Sequence, residues 1–536
     1  MRNLLLRFLG VFLIIASIIS CANRGSPQGG PKDMDPPKIE RSSPDNYSIN
    51  FTGKEIKIYF DEYIKLKNLN KQLIISPPMN TQPEITPLGS ASKYITIKIF
   101  DTLQPNTTYA FNFGNSIVDN NEENAFPFYR YVFSTGNYID SLQLKGSVRD
   151  ALESKTDEFV SVMLYEKDTA YTDSVVYKKL PKYITNTLDS VTSFTLENLK
   201  PGTYKLVALK DGNQDNKYQQ RSDKIGFKEG FVTIPNDSSF NLRLFKEVPD
   251  FKVIRPHLLA GEKIAFGYQG DYKGTDIEVT SIVPDTFAYR ITKEPTTDSL
   301  LYWYKPRLDV DSLLFHVKHP SGYEGDFTVR ISEQKRDSLK ISTTPTGNIN
   351  FEENLTITSQ VPFERFDDSK VTILDKDSLQ VAFTYQLDTL NNKYLLSFNK
   401  KEEDLYKIQM LPGTFTDFFG NKNDTLNYSL KTKTVNDYGN VRIHLINAVY
   451  PVIVQLTTEK GDVKYEQYVT SDKPVDFFNL SAGQFNVRVI FDANKNGIYD
   501  SGNFLKGIQP ERVSYFSEVI EVRTGFDNVY DFTLLD

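Results

Sequence analysis

The 536-residue chain contains a single cysteine, Cys21. A single cysteine excludes an internal disulfide, so the fold must be stabilised by its hydrophobic cores. Only four histidines are present, and no HExxH, GxSxG or GxxxxGK[ST] motif occurs. Few arrangements remain for zinc, nucleophilic or phosphate-transfer chemistry, and we predict a protein that is not an enzyme. Carboxylates are plentiful, so counting alone does not exclude a glycosidase pair.

Concentrated positive charge is also missing. The formal net charge is -7, the pI is near 5.5, and no basic run stands out after the first residues. Binding to phosphate backbones requires a basic surface, so nucleic acid is excluded as an expected partner. No run of 18 or more apolar residues follows residue 20, so no further membrane span is predicted.

Aromatic residues are abundant, with 31 Tyr and 37 Phe. They favour pleated, half-buried strands over helices. A chain of this length is too long for one core, so the sequence predicts several domains of an all-β protein.

The first 21 residues have the pattern of an export signal. Arg2 and Arg7 precede an apolar run over residues 8–19, and small Ser20 stands directly before Cys21. This stretch resembles the bacterial lipobox, which implies a signal peptide at residues 1–20 and acyl chains such as palmitate on Cys21. Several acyl chains, at about 0.8 kcal/mol per buried CH₂, would anchor the protein to a membrane permanently. The alternative is an ordinary secretory signal that ends near a cysteine.

Residues 21–37 are rich in Gly, Pro and small polar residues, which predicts a flexible tether. Ala22 stands where an aspartate would favour the inner membrane in well-studied Gram-negative systems, so the resemblance implies the outer membrane. The lipobox followed by GGPKD and a double proline resembles Bacteroidota lipoproteins that carry bacterial Ig-like domains. The side of the membrane that the protein faces is left open by the sequence.

Residues 38–137 alternate between apolar and polar side chains over short segments, which predicts a β-sandwich. The side chains expected to point inward are Ile56, Ile58, Phe60, Ile95, Ile97, Ile99, Tyr131 and Phe133. The segments IYFDEY, LQPNTTYAFNF, IVDNN and YVFSTG resemble the SbsA-type bacterial Ig-like domain. Such a resemblance implies a fold and leaves the function open.

Residues 138–247 predict a second sandwich, which resembles prealbumin-like or Cna-B-like modules. Its segment SFTLENLKPGTYKLVALKD runs from strand to strand through Pro201-Gly202, which favours a β-hairpin. Residues 248–345 predict a β-sandwich of unassigned type. It contains the Tyr302-Trp303-Tyr304 run, which would either stack on sugar rings or, as we expect, divide between core and surface.

The end of the chain repeats its beginning. Residues 346–435 predict a second Ig-like domain, on the evidence of LTITSQVPFE and LPGTFTDFFGN. Residues 436–536 predict a second prealbumin-like sandwich, because VDFFNLSAGQFNVRVIFD matches the earlier segment. Duplication of a two-domain unit is the simplest account of this order.

Two loops carry oxygen ligands at alternate positions, a spacing that suits Ca²⁺. The stronger loop comprises Asp492, Asn494, Asn496 and Asp500, with Gly497 at the sixth position and Asn503 where an EF-hand has Glu. We predict weak Ca²⁺ binding there, with a dissociation constant on the order of 10⁻⁴ to 10⁻³ M. The weaker loop comprises Asp211, Asn213 and Asp215. The alternative in both is a turn in which the Asp and Asn side chains bond their own backbone.

A short pattern of Asp, then Ser or Thr, then an aliphatic residue recurs through the chain. It resembles the acceptor pattern of envelope O-glycosylation in Bacteroidota. Such triplets are also an ordinary way for a strand to begin.

We therefore expect a non-enzymatic, multi-domain scaffold or binding protein, held at the outer membrane by lipid and bound to a protein partner of the envelope. The alternative is a polysaccharide-handling protein, either a glycan-binding module or a hydrolase. A glycan binder would show an exposed aromatic platform, and a hydrolase would show paired carboxylates in a groove.

Overall fold

The computed structural model describes residues 33–188 and 192–534. Cys21, the signal peptide and most of the proposed tether lie outside these residues. The described chain is almost entirely β, which confirms the predicted fold class. Its one α-helix, α1, spans Leu69–Gln72, and its 3-10 turns span Asp173–Tyr177, Asp368–Lys370 and Val435–Asp437. Across both described ranges, no helix is long and apolar enough to cross a membrane.

The chain divides into two compact units. Of the described residues, the first unit comprises 33–143, 182–188 and 196–201, and the second comprises 144–181, 192–195 and 202–534. The described strands form eleven sheets, ten of which are grouped below as five two-sheet sandwiches numbered in chain order, and the eleventh is a two-stranded sheet of the fourth sandwich. The domain boundaries assigned from the sequence stay predictions.

The first sandwich has eight strands: β1 (Ile39–Ser43), β2 (Glu55–Leu66), β3 (Ile74–Ser76), β4 (Glu84–Thr86), β5 (Ser92–Lys98), β6 (Thr108–Asn112), β7 (Ile117–Asp119) and β8 (Arg130–Ser134). One sheet has the order β1-β2-β5-β4, with β7 pairing β2, and the other has the order β3-β6-β8. All eight side chains predicted to point inward are at most 2% exposed. Their alternation therefore marks the core-facing side of each strand.

The second sandwich has the strands β9 (Leu142–Asp150), β10 (Ser161–Glu166), β11 (Tyr183–Asn186), β12 (Ser193–Leu199), β13 (Gly202–Lys210), β14 (Lys224–Phe227), β15 (Val232–Ile234) and β16 (Ser239–Leu244). One sheet includes the order β10-β13-β14, with β15 pairing β13, and the other is β12-β9-β16 with β9 and β16 parallel.

The predicted hairpin at Pro201-Gly202 is wrong. β12 pairs β9 whereas β13 pairs β10 and β14, so the two strands belong to opposite sheets. Phe194, Leu196 and Leu199 are buried on β12, and β13 is buried along most of its length. At this turn the chain therefore leaves one sheet and enters another, and each strand buries its own apolar side chains.

The third sandwich has the strands β17 (Lys252–Ala260), β18 (Lys263–Gln269), β19 (Asp276–Val279), β20 (Ala288–Lys293), β21 (Ser299–Lys305), β22 (Ser312–Lys318) and β23 (Glu324–Arg330). Its sheets have the orders β17-β18-β21-β20 and β19-β22-β23.

The fourth sandwich has the strands β24 (Ile341–Thr344), β25 (Gly347–Asn348), β26 (Leu355–Ser359), β27 (Phe363–Phe366), β28 (Val371–Leu374), β29 (Phe383–Asp388), β30 (Lys393–Phe398), β31 (Leu405–Met410), β32 (Phe415–Asp417) and β33 (Leu426–Lys431). Its main sheets have the orders β24-β26-β30-β29 and β25-β33-β31-β28, and β27 pairs β32.

The fifth sandwich has the strands β34 (Gly439–Ile446), β35 (Val452–Thr457), β36 (Val463–Val469), β37 (Val475–Leu480), β38 (Gly483–Phe491), β39 (Val513–Tyr515), β40 (Ile520–Val522) and β41 (Asp527–Thr533). Its sheets are β36-β35-β38-β39, with β40 pairing β38, and β37-β34-β41, with β34 and β41 parallel. This strand order corresponds to that of the second sandwich, and the duplication of a two-domain unit stays a prediction.

Candidate functional site

The four predicted ligands of the stronger Ca²⁺ loop lie together between β38 and β39. Asp492 follows β38, and its carboxylate accepts the N–H of Asn496 (3.1 Å) and of Gly497 (2.8 Å). The side-chain amides of Asn494 and Asn496 donate to one oxygen of Asp500, at 2.6 and 2.7 Å. Gly497 has a φ of +76°, which a glycine adopts without strain.

A fifth oxygen-bearing residue, Glu511, closes this loop. Its carboxylate accepts the N–H of Ala493 at 2.9 Å and of Asp500 at 3.1 Å. The sequence argument sought a closing carboxylate at Asn503, and that side chain instead accepts the N–H of Lys506. Glu511 was missed because it follows Asp500 by eleven residues, outside the EF-hand spacing.

The carboxylates of this loop repel one another, and this repulsion acts on the pKa of Glu511. Burial raises the pKa of Glu511, and the nearby charges of Asp500 and Asp492 raise it further, against the hydrogen bonds from the backbone. Burial also acts to raise the pKa of Asp492, but hydrogen bonds from Gly497, Tyr468 and Asn496 hold it below its usual value. A bound cation would offset the repulsion at Glu511.

The weaker loop, between β13 and β14, has the same construction. Asp211 accepts the N–H groups of Asn213, Gln214 and Asn216 at 2.7 to 2.9 Å. Asp215 accepts from the N–H of Lys217 and the side-chain amide of Gln219, both at 2.9 Å. Burial raises the pKa of Asp211 despite its hydrogen bonds.

Asp223 takes the place that Glu511 has in the fifth sandwich. It is fully buried and accepts the N–H of Gly212 at 3.1 Å and of Gln219 at 2.7 Å. A comparison of the two loops in the sequence would have identified the closing carboxylates, Glu511 and Asp223.

The loops already satisfy much of their own hydrogen bonding. Over residues 33–188 and 192–534, no group of three or more His, Cys, Asp or Glu side chains is placed to hold a metal ion. Asparagine and backbone oxygens would therefore have to complete a Ca²⁺ shell of six to eight ligands. Ca²⁺ binding stays a prediction, together with its low affinity.

The Tyr302-Trp303-Tyr304 run does not form an exposed platform. The three residues are 0%, 2% and 1% exposed. Tyr302 and Tyr304 belong to the core of the third sandwich, whereas Trp303 points to the opposite face and packs against Phe418 of the fourth sandwich. The expected division between core and surface is therefore wrong for Trp303, because another domain covers the outer face.

His316 and His319 bond different partners. His316 bonds Asp326 through Nδ1 at 2.6 Å. His319 bonds Ser321 at 2.8 Å and stacks on Phe251, with ring centroids 4.0 Å apart. Neither arrangement provides a shared metal site.

A depression of about 380 Å³ lies on the fourth sandwich, beside Asp404 and Asp437. Asp404 accepts the N–H groups of Lys376 and Leu405, and Asp437 caps the turn at Thr434. Both carboxylates therefore support the backbone around the depression.

Most hydroxyl groups of the Asp-Ser/Thr-aliphatic pattern are at the surface. The exposed ones belong to Thr102, Ser141, Ser312, Ser338, Ser378, Thr389 and Thr425, whereas Ser174 and Ser299 are half-buried. Ser190 lies outside the described residues. Glycosylation of these positions stays a prediction.

Fold and site together define a multi-domain protein of β-sandwiches. Residues 33–135 match the bacterial Ig-like domain family, which confirms the Ig-like prediction for the first sandwich. A search of curated protein sequences gives no significant match.

Solved structures with some likeness include surface and adhesion proteins. Domains 1–6 of surface layer protein SbsC align over 90% of this chain and 66% of that protein, at 11% identity and a TM-score of 0.17. The Bacillus anthracis TIE protein aligns over 95% of this chain and 76% of its own length, at 9% identity and a TM-score of 0.14. The insect immune protein hemolin aligns over 73% of this chain and all of its own, at 11% identity and a TM-score of 0.17. TM-scores this low carry no argument about arrangement or function.

Proposed function

We propose that this chain is a lipoprotein of the Bacteroidota outer membrane and acts as a non-enzymatic scaffold that binds a protein partner of the envelope. The observation that carries the proposal is the placement of the only cysteine, Cys21, after Ser20 at the end of an apolar run that is too short to span a bilayer. Tandem sandwiches give such a protein many strand edges, and edges are common docking surfaces for other chains.

Replacement of Cys21 by Ser tests the anchor. In the native organism, the wild-type protein is expected to incorporate labelled palmitate and to sediment with the outer membrane. The Cys21→Ser protein is expected to lose the label and to leave the membrane fraction. Retention of either property by the variant would rule out lipidation at Cys21.

Protease treatment of intact cells, paired with recovery of the lipidated protein in mild detergent, tests the scaffold role. Protection with co-purified envelope-assembly proteins would favour a scaffold that faces the periplasm. Digestion from outside with co-purified glycan or uptake proteins would favour the surface and the polysaccharide-handling alternative.

One surface of the first sandwich favours a glycan-binding role as the second candidate. On the outer face of β2 and β5, the rings of Tyr59 and Tyr94 lie 5.7 Å apart, and the Arg41 guanidinium lies 3.7 Å from the Tyr59 ring. Tyr94 is 45% exposed. Adjacent tyrosines and a guanidinium suit the apolar faces and hydroxyl groups of sugars.

Affinity electrophoresis in polysaccharide gels separates the two candidates. A glycan binder would be retarded in the gel, and Tyr94→Ala would abolish the retardation. Tyr138→Ala is the matched control, because Tyr138 is 54% exposed and lies outside this face. Equal migration of all three proteins in every gel would leave the scaffold role as the supported function.

A further inference from the structure

The fifth sandwich contacts the second sandwich mainly through one loop, here called the clasp loop (residues 501–509), and through a polar contact beside it. Phe504 of this loop is 3% exposed, and its ring packs edge-on against Phe227, with centroids 5.3 Å apart. Both sandwich faces involved lie in the second compact unit. The third and fourth sandwiches separate the two partners along the chain, so this contact is independent of the covalent connection.

A buried carboxylate of the second sandwich receives the clasp loop. Glu247 is 2% exposed, and its two oxygens accept the N–H of Phe504 at 2.5 Å and the hydroxyl of Tyr218 at 2.6 Å. Gln509 donates to the carbonyl of Phe227 at 3.0 Å, and the hydroxyl of Ser501 donates to the carbonyl of Lys246. The groove thus offers an apolar wall and hydrogen-bond acceptors to one turn of the chain.

The loop approaches so closely that only glycine fits at position 502. A Cβ atom on Gly502 would lie 2.6 Å from the Phe245 ring and 2.7 Å from the carbonyl oxygen of Ile508. Atoms at these separations must shift. The groove and the loop are therefore complementary in shape as well as in hydrogen bonding.

A second, polar contact lies beside the clasp loop. Arg488, 4% exposed, donates to the carbonyl of Leu152 at 3.0 Å and to the side chain of Gln455 at 2.6 Å. The hydroxyl of Tyr515 donates to the same Leu152 carbonyl. These hydrogen bonds set the orientation of one sandwich relative to the other. Their net contribution to stability is small, because water can replace them when the sandwiches separate.

The apolar part of the clasp is small. Leu505 and Ile508, the other large aliphatic residues of the loop, are 55% and 51% exposed. Interfaces between domains of one chain are polar and resemble transient ones, and buried aromatic side chains dominate their energetics. Phe504 is consequently the anchor on which the contact depends.

We propose that the second sandwich carries a receptor groove for a phenylalanine-bearing turn, and that the clasp loop fills it as an intramolecular ligand. The contact holds the duplicated sandwiches together and is separable from the core of either one. Release of the clasp loop would expose Phe227, Phe245 and Glu247 together, a surface suited to the same turn from a second copy.

Distance measurement between spin labels tests the proposal. The labels are placed at exposed Lys155 of the second sandwich and Lys460 of the fifth, in a full-length chain that carries Cys21→Ser. The otherwise unchanged chain is expected to give one narrow, short distance. Phe504→Ala, and independently Gly502→Val, are expected to abolish this population and to give a broad distribution at longer distance.

Phe478→Ala is the matched control, because Phe478 lies in the same sandwich and is 61% exposed. It is expected to keep the narrow distance. A short, narrow distance that persists in Phe504→Ala would overturn the proposal. Loss of the folded structure in Phe504→Ala would also overturn it, because the loop would then belong to a core.

Discussion

Glu262 of the third sandwich shows how this chain buries a charge. Its side chain is 1% exposed, and Nε of Arg307 and Nε of Arg336 each lie 2.6 Å from one of its oxygens. Burial acts to raise the pKa of Glu262, but the hydrogen bonds from Arg336 and Arg307 outweigh it and hold the pKa below its usual value. Two guanidinium groups thus keep a buried carboxylate ionised.

Glu262→Gln should destabilise the third sandwich at pH 7 by about 1.5–3 kcal/mol, the range for hydrogen bonds to charged groups. Trp303 is the only tryptophan and lies in this sandwich, so its fluorescence during urea unfolding reports the effect. The folded-state pKa is lowered, so the stabilisation is present above the unfolded pKa of about 4.3 and is lost as the pH falls through the folded value.

The difference between wild type and Glu262→Gln should therefore shrink below pH 4.3. Glu521→Gln is the control, because Glu521 pairs with Arg523 on an exposed surface, and it should leave the Trp303 transition unchanged. Equal stability of wild type and Glu262→Gln at pH 7 would contradict the argument.

Ca²⁺ should raise the melting temperature of the fifth sandwich at concentrations on the order of 10⁻³ M, and EDTA should reverse the rise. The pKa of Glu511 is raised in the folded protein, so stability is lost as the pH rises through this pKa and the side chain ionises. A bound cation would offset this loss. Asp492→Asn should abolish the response, because it removes the carboxylate at the start of the loop.

Asp476→Asn should keep the Ca²⁺ response, because Asp476 pairs with Arg442 elsewhere in the same sandwich. Calorimetry with and without EDTA measures both variants. A melting temperature that EDTA leaves unchanged would contradict the prediction of Ca²⁺ binding.

At the scale of elements, β21 illustrates how one strand serves two cores. Tyr302 and Tyr304 belong to the core of the third sandwich, and Trp303 belongs to a second buried cluster with Ala265 and Leu301. The turn after β32 brings Phe418 of the fourth sandwich into this cluster, and the Trp303 indole N–H donates to Thr292 at 3.0 Å. The strand is therefore buried on both sides.

Phe418→Ala should open the covered face of β21. Phe418 is 2% exposed, so its truncation leaves a space beside Trp303 that water or a quencher can enter. We expect stronger acrylamide quenching and a red-shifted emission of Trp303. Phe526→Ala, a change at a 60% exposed position of the fifth sandwich, should leave both unchanged. Unaltered quenching in Phe418→Ala would show that another element shields the indole.

At the scale of the whole molecule, separate cores replace one large core. The first, third, fourth and fifth sandwiches each have their own cluster of buried hydrophobic residues. Chains longer than about 250–300 residues divide in this way because a single core stops growing at that size.

Thermal unfolding of the whole chain should therefore show more than one transition, with a van't Hoff enthalpy below the calorimetric enthalpy. Trp303 fluorescence should follow the unfolding of the third sandwich and of its contact with the fourth, and Glu262→Gln should move that transition without moving those of the first and fifth sandwiches. One cooperative transition, equally shifted by Glu262→Gln at every probe, would contradict independent cores.

Local sequence patterns predicted the buried faces of strands but not how the strands pair. The alternation at Ile56, Ile58 and Phe60 predicted the buried side of β2, because the period of a strand is fixed by its backbone. Turn chemistry at Pro201-Gly202 predicted where the chain turns and gave the wrong partner, because a turn does not determine which sheet a strand joins. The spacing of Asp492, Asn494, Asn496 and Asp500 brought those four residues together, since they lie in one short loop.

The sequence by itself determined the all-β class and the Ig-like domain that matches residues 33–135, because these rest on short periods and motifs. Only the tertiary structure decided that Glu511 closes the candidate Ca²⁺ loop, that Phe418 covers Trp303 and that Phe504 fills a groove on the second sandwich. The last two contacts join residues more than a hundred positions apart. Packing between folded surfaces, which no local pattern encodes, sets them.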